Sequence, residues 1–339
     1  MKKILCVLMS CLLFVMAGCS GHSKNLKFGA ADIGGVYYSF ASTFTQLADK
    51  EIDGYTFETK TTAGSVANLR LISDGYIDLA IVQADLLSDA YNATGTFADK
   101  KYQKGYKAVA SLYTEACQIV VPADSDIQSV DDLEGKKVCI GEKDSGITDI
   151  DDLINKTVSV GASESGTEKN AEQILKMSGI TDELINKVNM DYTEAAEKLK
   201  AGEIDAFFCT AGTRTEVIGQ LSKECDICLI SLDDKCIDKM LSAYSLCEKY
   251  IIPAGTYNGQ DSDVTTIGVK SVLIAKQSLS DDVIKKVTKT IYEHADDFKY
   301  ATSLDISFDI NMAADGVDIP FHSGAAAYYA EHGINVLTE

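Results

Sequence analysis

Three short loops in this sequence place glycine and hydroxyl residues directly ahead of helix-like runs. They are Gly34-Gly35-Val36-Tyr37-Tyr38, Thr62-Ala63-Gly64-Ser65 and Ser165-Gly166-Thr167. Such a loop aims unpaired backbone N–H groups and the positive end of a helix dipole at one spot, which suits a carboxylate or another small anion. Glycine lets the backbone approach closely, and a Ser or Thr hydroxyl either caps the helix or bonds the ligand. Each loop alone reads equally well as plain helix capping. Together they point to a ligand at strand ends between two units, where open α/β sheets bind. Gly34, Tyr37, Thr62, Gly64, Ser65, Ser165, Gly166 and Thr167 are the resulting candidates, and Gln83, Asp85, Thr210, Gly212 and Thr213 join them from the ends of apolar strands. Asp85 either receives a ligand ammonium or caps the helix that begins at Leu86. Tyr113, with Tyr37 and Tyr38, walls a pocket or packs in a core. Arg70 sits mid-helix and reads as exposed, whereas Arg214, nearer a strand end, is the better carboxylate clamp.

No catalytic set accompanies these loops. Gly-x-Ser-x-Gly, His-Glu-x-x-His and Walker patterns are absent, and Gly161-Ala-Ser-Glu-Ser165 lacks the last glycine of a nucleophile elbow. The four histidines form no nucleophile–base pair. Cys225-x-x-Cys228 has no second pair to complete a zinc site and runs into a strand-like segment instead of a helix start, so neither metal nor redox use is expected. Free buried thiols, or one structural bridge, account for Cys117, Cys139, Cys209, Cys225, Cys228, Cys236 and Cys247. No cofactor is expected, and the Asp-rich starts at Asp124, Asp126 and Asp144 lack the glycine of a calcium loop.

Behind the loops stands a chain of 339 residues with 31 Lys+Arg, 51 Asp+Glu and a formal charge of −20. That balance excludes a nucleic-acid binder, because a phosphate backbone would be repelled. Lys2 and Lys3 precede an apolar run from Ile4 to Ala17, broken at Ser10, with the shape of a secretory signal. Its exit, Met16-Ala17-Gly18-Cys19, resembles a lipoprotein cleavage box, and a polar spacer follows; ordinary cleavage near Ala17 is the alternative. Residues 1–18 are expected to be removed, Cys19 to carry the lipid and 19–25 to act as a tether. Loss of the two lysines takes the charge from −20 to −22. No later stretch is apolar enough to cross a bilayer, so the protein is expected on the outer face of the membrane, held by lipid.

From Leu26 onward, short apolar runs alternate with helix-like segments, an α/β pattern. Strands are expected at 26–31, 56–61 and 78–82, helices at 38–50, 65–74 and 281–299. Gly64-Ser65-x-x-Asn68 opens a helix in one half and Gly166-Thr167-x-x-Asn170 in the other; Gly75-x-Ile77-Asp78 and Gly202-x-Ile204-Asp205 each enter a strand. The paired signatures indicate two similar lobes. Residues 124–143 also align without gaps on 144–163, a tandem duplication in which each copy reads as a short helix followed by a strand. The second copy feeds the Gly166-Thr167 loop and is the structural one.

Gly34-Gly-Val-Tyr-Tyr, Thr62-Ala-Gly-Ser-Val-Ala-Asn-Leu-Arg70, Ile77-Asp-Leu-Ala-Ile-Val-Gln-Ala-Asp85, Ala110-Ser-Leu-Tyr-Thr-Glu115, Ser165-Gly-Thr-Glu-Lys-Asn-Ala171 and Phe321-His-Ser-Gly-Ala325 resemble the TAXI family. These are the solute receptors of one class of tripartite ATP-independent periplasmic (TRAP) transporters, and the resemblance spans roughly 28 to 335. It implies the type II periplasmic-binding-protein fold: two α/β lobes, 26–120 with 262–339 and 121–261, joined by hinge strands near 107–122 and 264–275. It further implies a monomer that captures a carboxylate-bearing solute such as glutamate, glutamine or 2-oxoglutarate and delivers it to a membrane permease. Ser65 and Thr167 would then hold the carboxylate from opposite lobes. The duplicated segment departs from the family pattern. Alternatives are a receptor for an ATP-driven importer or a sensor, and an enzyme on the same fold with Cys209 as its reactive group.

Overall fold

The computed structural model describes residues 23–99, 105–123, 149–303 and 308–339. The expected signal, the expected lipid site Cys19, Cys139 and the first copy of the duplication lie outside the described residues. Within them the chain forms two α/β lobes on one ten-stranded sheet. The first lobe begins with β1 (Lys24–Gly29), α1 (Val36–Glu51), β2 (Tyr55–Lys60), α2 (Ser65–Ser73), β3 (Leu79–Gln83) and α3 (Ala84–Asn92). The second comprises β5 (Thr157–Ser159), α4 (Gly166–Ser178), β6 (Asn186–Val188), α5 (Tyr192–Lys200), β7 (Ala206–Ala211), α6 (Glu216–Glu224), β8 (Ile227–Leu229), α7 (Asp234–Ala243) and β9 (Cys247–Ile252). Two long strands, β4 (Tyr106–Pro122) and β10 (Val264–Lys276), run through both. After β10, α8 (Asp281–Glu293), α9 (Ala295–Thr302) and α10 (Ser323–Glu331) return to the first lobe.

Each lobe has parallel strands at its heart, β2-β1-β3 in one and β6-β5-β7 in the other. Between them β10 and β4 pair antiparallel to each other, β10 to β3 and β4 to β7. Ala116 of β4 faces Gly268 on one side and Ala211 on the other, so this residue marks the point where β4 changes lobes. The hinge positions expected from the resemblance therefore coincide with the two shared strands.

Periodicity explains the helices and the layers. On α1 the buried residues Val36, Tyr37, Phe40, Ala41, Phe44, Thr45 and Ala48 form one stripe at helical spacing. The helix starts two residues earlier than expected because Val36 and Tyr37 already belong to that stripe. β7 is buried on both faces, and its side chains alternate between two cores: Phe207 and Cys209 pack with the first, Ala206 and Phe208 with the second. The second copy of the duplication contributes a short 3-10 turn (Ile150–Leu153) and β5, the helix-then-strand order read from the sequence.

One reading needs correction. The single helix expected over 281–299 breaks at His294, whose backbone leaves the helical region. Its ring nitrogens lie 2.6 Å from Glu51 Oε1 and 2.9 Å from Asp297 Oδ2, so the break places a bridge onto the end of α1. The cysteines divide between the two alternatives. Cys117, Cys209, Cys236 and Cys247 are buried free thiols, Cys225 is a half-buried one, and Cys228 is disulfide-bonded. Among the described residues, no helix is long and apolar enough to cross a membrane.

The first lobe is tied together by Asn68, which is fully buried. Its Nδ2 reaches the carbonyl of Ala30 at 2.6 Å and that of Ile81 at 2.9 Å, linking the ends of β1 and β3 to α2. Its Oδ1 lies 2.7 Å from the Thr62 hydroxyl. Replacing Asn68 with Ala leaves buried carbonyls without donors, and a loss of about 2–3 kcal/mol is expected in denaturant unfolding. A loss below about 0.5 kcal/mol, the size of an ordinary surface substitution, would show that the strand ends hold without it.

Candidate functional site

A cavity of about 460 Å³ lies where the two lobes meet, at the ends of β1, β3 and β7. Nine of the residues singled out from sequence line it: Tyr37, Thr62, Gly64, Ser65, Gln83, Ser165, Gly166, Thr167 and Thr210. The other five do not. Gly34 lines an adjoining cavity of about 350 Å³ together with Arg214, so Arg214 does not serve as a clamp in the main one. Asp85 is buried in the first turn of α3 and takes a long hydrogen bond, 3.5 Å, from Asn170 of the opposite lobe. Tyr113 is buried away from the wall, and Gly212 and Thr213 form the turn after β7, where the Gly212 carbonyl accepts from Thr215 Oγ1.

Two glycines lie where the lobes meet. Gly64 has φ +120, and a Cβ there would stand 3.4 Å from Ser165 Cα. A Cβ on Gly166 would stand 2.2 Å from Gln83 Oε1. At Gly64 the positive φ favours glycine while the space would admit a Cβ, and at Gly166 a Cβ would force the Gln83 side chain of the other lobe to move.

The hydroxyls at the wall are committed to bracing it. Thr62 Oγ1 sits 3.0 Å from the Ala30 carbonyl and accepts from the Gly64 N–H. Ser65 Oγ accepts from the Gln83 N–H at 3.1 Å, and Ser165 Oγ caps α4 by accepting from the Glu168 N–H at 3.0 Å. Thr167 closes a ring. It accepts from the Thr210 N–H at 3.2 Å and stands 2.6 Å from Tyr192 Oη, which donates to the Thr210 carbonyl at 2.9 Å. In α4 the cap serves Glu168, while the first-turn N–H groups of Gly166 and Thr167 have no partner within the helix. What this wall offers a ligand is therefore chiefly backbone donors at the helix first turns that line it, those of α4 among them.

Three carboxyl groups that sequence reasoning had not singled out complete the lining: Asp32, Glu115 and Asp191. No Lys, Arg or His stands beside them among the described lining residues. Glu115 sits next to the point where β4 changes lobes and is 2% exposed. It accepts from Tyr37 Oη at 2.8 Å and from the Gln83 side chain. Burial pushes its carboxyl up to about 8, against the lowering effect of both bonds, and Asp85 adds to the rise. Asp85 itself is pushed up to about 6 by burial. Asp32 is raised by burial and by the nearby negative charge of Asp191 in the other lobe. Two buried acceptors at this wall, Asp32 Oδ2 and Gln83 Oε1, have no hydrogen-bond partner.

The only sequence signal for Glu115 was its place at the end of the Ala110–Glu115 motif. Asp32 carried none, and Asp191-Tyr-Thr-Glu194 signals only the cap that Asp191 forms on α5, accepting from the Glu194 N–H at 2.8 Å. Arg70 was misread as merely exposed: its guanidinium makes a bidentate pair with Glu164 across the cleft, at 3.2 and 2.7 Å.

Comparison with known proteins bears on this architecture. A model of the NMT1-like family matches residues 28–147 and 141–333. The two pieces meet inside the segment that carries the twenty-residue repeat. Among solved structures, a periplasmic transporter is 14% identical, with 82% of this chain and 86% of that chain covered and a TM-score of 0.52. PhnD1 from Prochlorococcus marinus, in complex with methylphosphonate, is 13% identical, with 85% and 93% covered and a TM-score of 0.51. Both share the fold of this chain.

Glu115 makes stability depend on pH in a defined direction. Its folded value, about 8, lies above the ordinary 4.5, so the folded state holds the extra proton. The contribution is complete below about 4.5 and falls away as pH rises towards 8. Glu115→Gln keeps the hydrogen-bonding shape without the charge. The melting temperature of the variant is expected to match the parent at pH 4.5 and to exceed it increasingly up to pH 8. A constant difference across that range would show that Glu115 titrates as an ordinary carboxylate.

Proposed function

Since the chain belongs to the NMT1-like family, we propose that it is an exported receptor that captures a small solute between its lobes. The observation that carries this reading is the 460 Å³ cavity walled by both lobes at strand ends, with glycines where the lobes touch. The jaws are drawn as 26–120 with 262–339 and as 121–261, β4 and β10 being the hinge. An enzyme is disfavoured by Cys209, whose burial pushes the thiol well above its usual range and leaves little thiolate.

The ligand follows from what the wall lacks. A carboxylate meets the first turn of α4, where N–H donors and the dipole favour it. Asp32 and Asp191, without a neighbouring cation, would repel a second negative group that no positive group of the solute offsets, whereas they and the open acceptor on Gln83 suit an ammonium. The solute is therefore an amino acid of the glutamate or glutamine kind in preference to 2-oxoglutarate or a bare oxyanion. PhnD1 holds methylphosphonate in the same fold, but an acid-lined wall is a poor host for that charge. Delivery to a TRAP permease rests on the resemblance to the TAXI family, and anchoring through Cys19 on the lipoprotein-like exit of the signal. A receptor for an ATP-driven importer remains the second reading; a neighbouring gene for an ATPase in place of a large fused permease would favour it.

Calorimetry on residues 25–339 with a panel of amino acids and dicarboxylates tests the ligand class. Glutamate or glutamine is expected to bind at micromolar Kd, and 2-oxoglutarate roughly tenfold or more weaker. Asp32→Asn and Gly166→Ala should each weaken binding by about tenfold or more, the first by loss of charge and the second by propping the cleft on Gln83. Binding of 2-oxoglutarate as tight as glutamate, or no solute better than about millimolar, would overturn the assignment.

A further inference from the structure

Helix α2 has no cap of its own. Its N-cap residue is Gly64, which has no side chain, and its first internal bond is from the Asn68 N–H to the Gly64 carbonyl. The N–H of Ala67, one position earlier, cannot be satisfied within the helix. It donates instead to the carbonyl of Glu164, at 3.1 Å, in the opposite lobe.

Glu164 is held ready for this contact by its own lobe. Its φ is +63, a conformation that residues with a Cβ rarely adopt. Its N–H donates to Glu168 Oε2 at 3.0 Å, while Glu168 Oε1 accepts from Asn189 Nδ2 at 2.9 Å. The turn is thus braced by α4 and the loop before α5. The same residue also offers its carboxylate, and Arg70, three positions beyond Ala67 and so on the same face of α2, pairs with it through Nε and Nη2.

We propose that Glu164 is a two-point latch that holds the cleft shut, its carbonyl capping α2 from the other lobe and its carboxylate clamping Arg70 one turn later. Both side chains of the pair remain 41% exposed, so water and salt compete for them and the latch releases readily. The latch involves residues outside the cavity lining and does not depend on which solute the cavity takes.

Residue-resolved hydrogen exchange on the ligand-free full chain tests the proposal, with the Ala67 amide as reporter. Arg70→Ala and Glu164→Ala are each expected to speed exchange at Ala67 several-fold, as is raising the salt concentration to about 1 M, where exposed charges are screened within about 3 Å. Glu164→Gly retains the carbonyl and relieves the backbone while losing the carboxylate. It should speed exchange no more than Arg70→Ala does. Exchanging the charges, Arg70→Glu with Glu164→Arg, should restore protection towards the parent value. Amides of β1 and β3, which report on unfolding of the lobe, should not change. Unchanged Ala67 exchange in both alanine variants overturns the latch. Failure of the exchanged pair to restore protection, or equal acceleration in β1 and β3, shows an ordinary surface pair or general loosening. None of these results depends on a bound solute, so failure here leaves the ligand assignment to be judged on its own measurements.

Discussion

Everything in this molecule hangs on the antiparallel pairing of β4 and β10. A chain of two similar α/β lobes needs a connection that is strong enough to keep one sheet continuous yet thin enough to bend. Two long strands passing side by side satisfy both demands, because main-chain ladders on either flank belong to different lobes. β10 meets β3 and β9 along separate stretches, and β4 meets β7 and β8 only from Ala116 onward. The ladder is irregular between Lys270 and Val272 and again between Leu273 and Ile274. Bulges of this kind bend and twist a strand locally, which fits a pair that must turn between lobes.

Placing Glu115 beside the turning point has an electrostatic consequence. Burying a carboxyl is costly in its charged form, and the group responds by keeping its proton. The cleft of a chain with net charge −20 therefore carries less negative charge than its composition suggests. Neutral Glu115 can sit against Tyr37 and Gln83 without a counter-ion, whereas Asp32 and Asp191 face each other across the lobes. A ligand that brings positive charge to that pair offsets a repulsion already present in the closed protein. A doubly negative group placed there would add to that repulsion.

How much of this was legible in the sequence depends on the range of the interaction. Helical stripes, buried strands and the glycine–hydroxyl loops are local patterns, and they located α1, β3, β7 and most of the cavity wall. The roles of the wall residues were less legible. Thr62, Ser65 and Thr167 read as ligand contacts because a hydroxyl ahead of a helix has the same sequence signature whether it binds a solute or braces a strand. The Arg70–Glu164 pair left no signal at all: its members are 94 positions apart, and neither has a periodicity that names the other. Glu115 was hidden for a related reason, since a single acid at the end of an apolar strand reads as the exit to solvent until the second lobe covers it.

The two Gly-hydroxyl-x-x-Asn signatures show how one local motif serves different ends. In the second lobe Ser165 and Glu168 complete the turn ahead of α4 from within, and Asn170 reaches over to Asp85 of the first lobe. In the first lobe the corresponding Asn68 turns inward to join β1 and β3, and the start of α2 is left to be finished by Glu164. The lobes are alike in outline but unequal in capping: one is complete alone, and the other is completed by contact. In both helices it is the third N–H that is satisfied, at Ala67 by Glu164 and at Glu168 by Ser165, so the first two donors of each are left alike and only the source of the cap differs. The first lobe brings Asp32, Gln83 and Glu115 to the shared cavity and the second brings Asp191, so the acids of the wall come from both lobes.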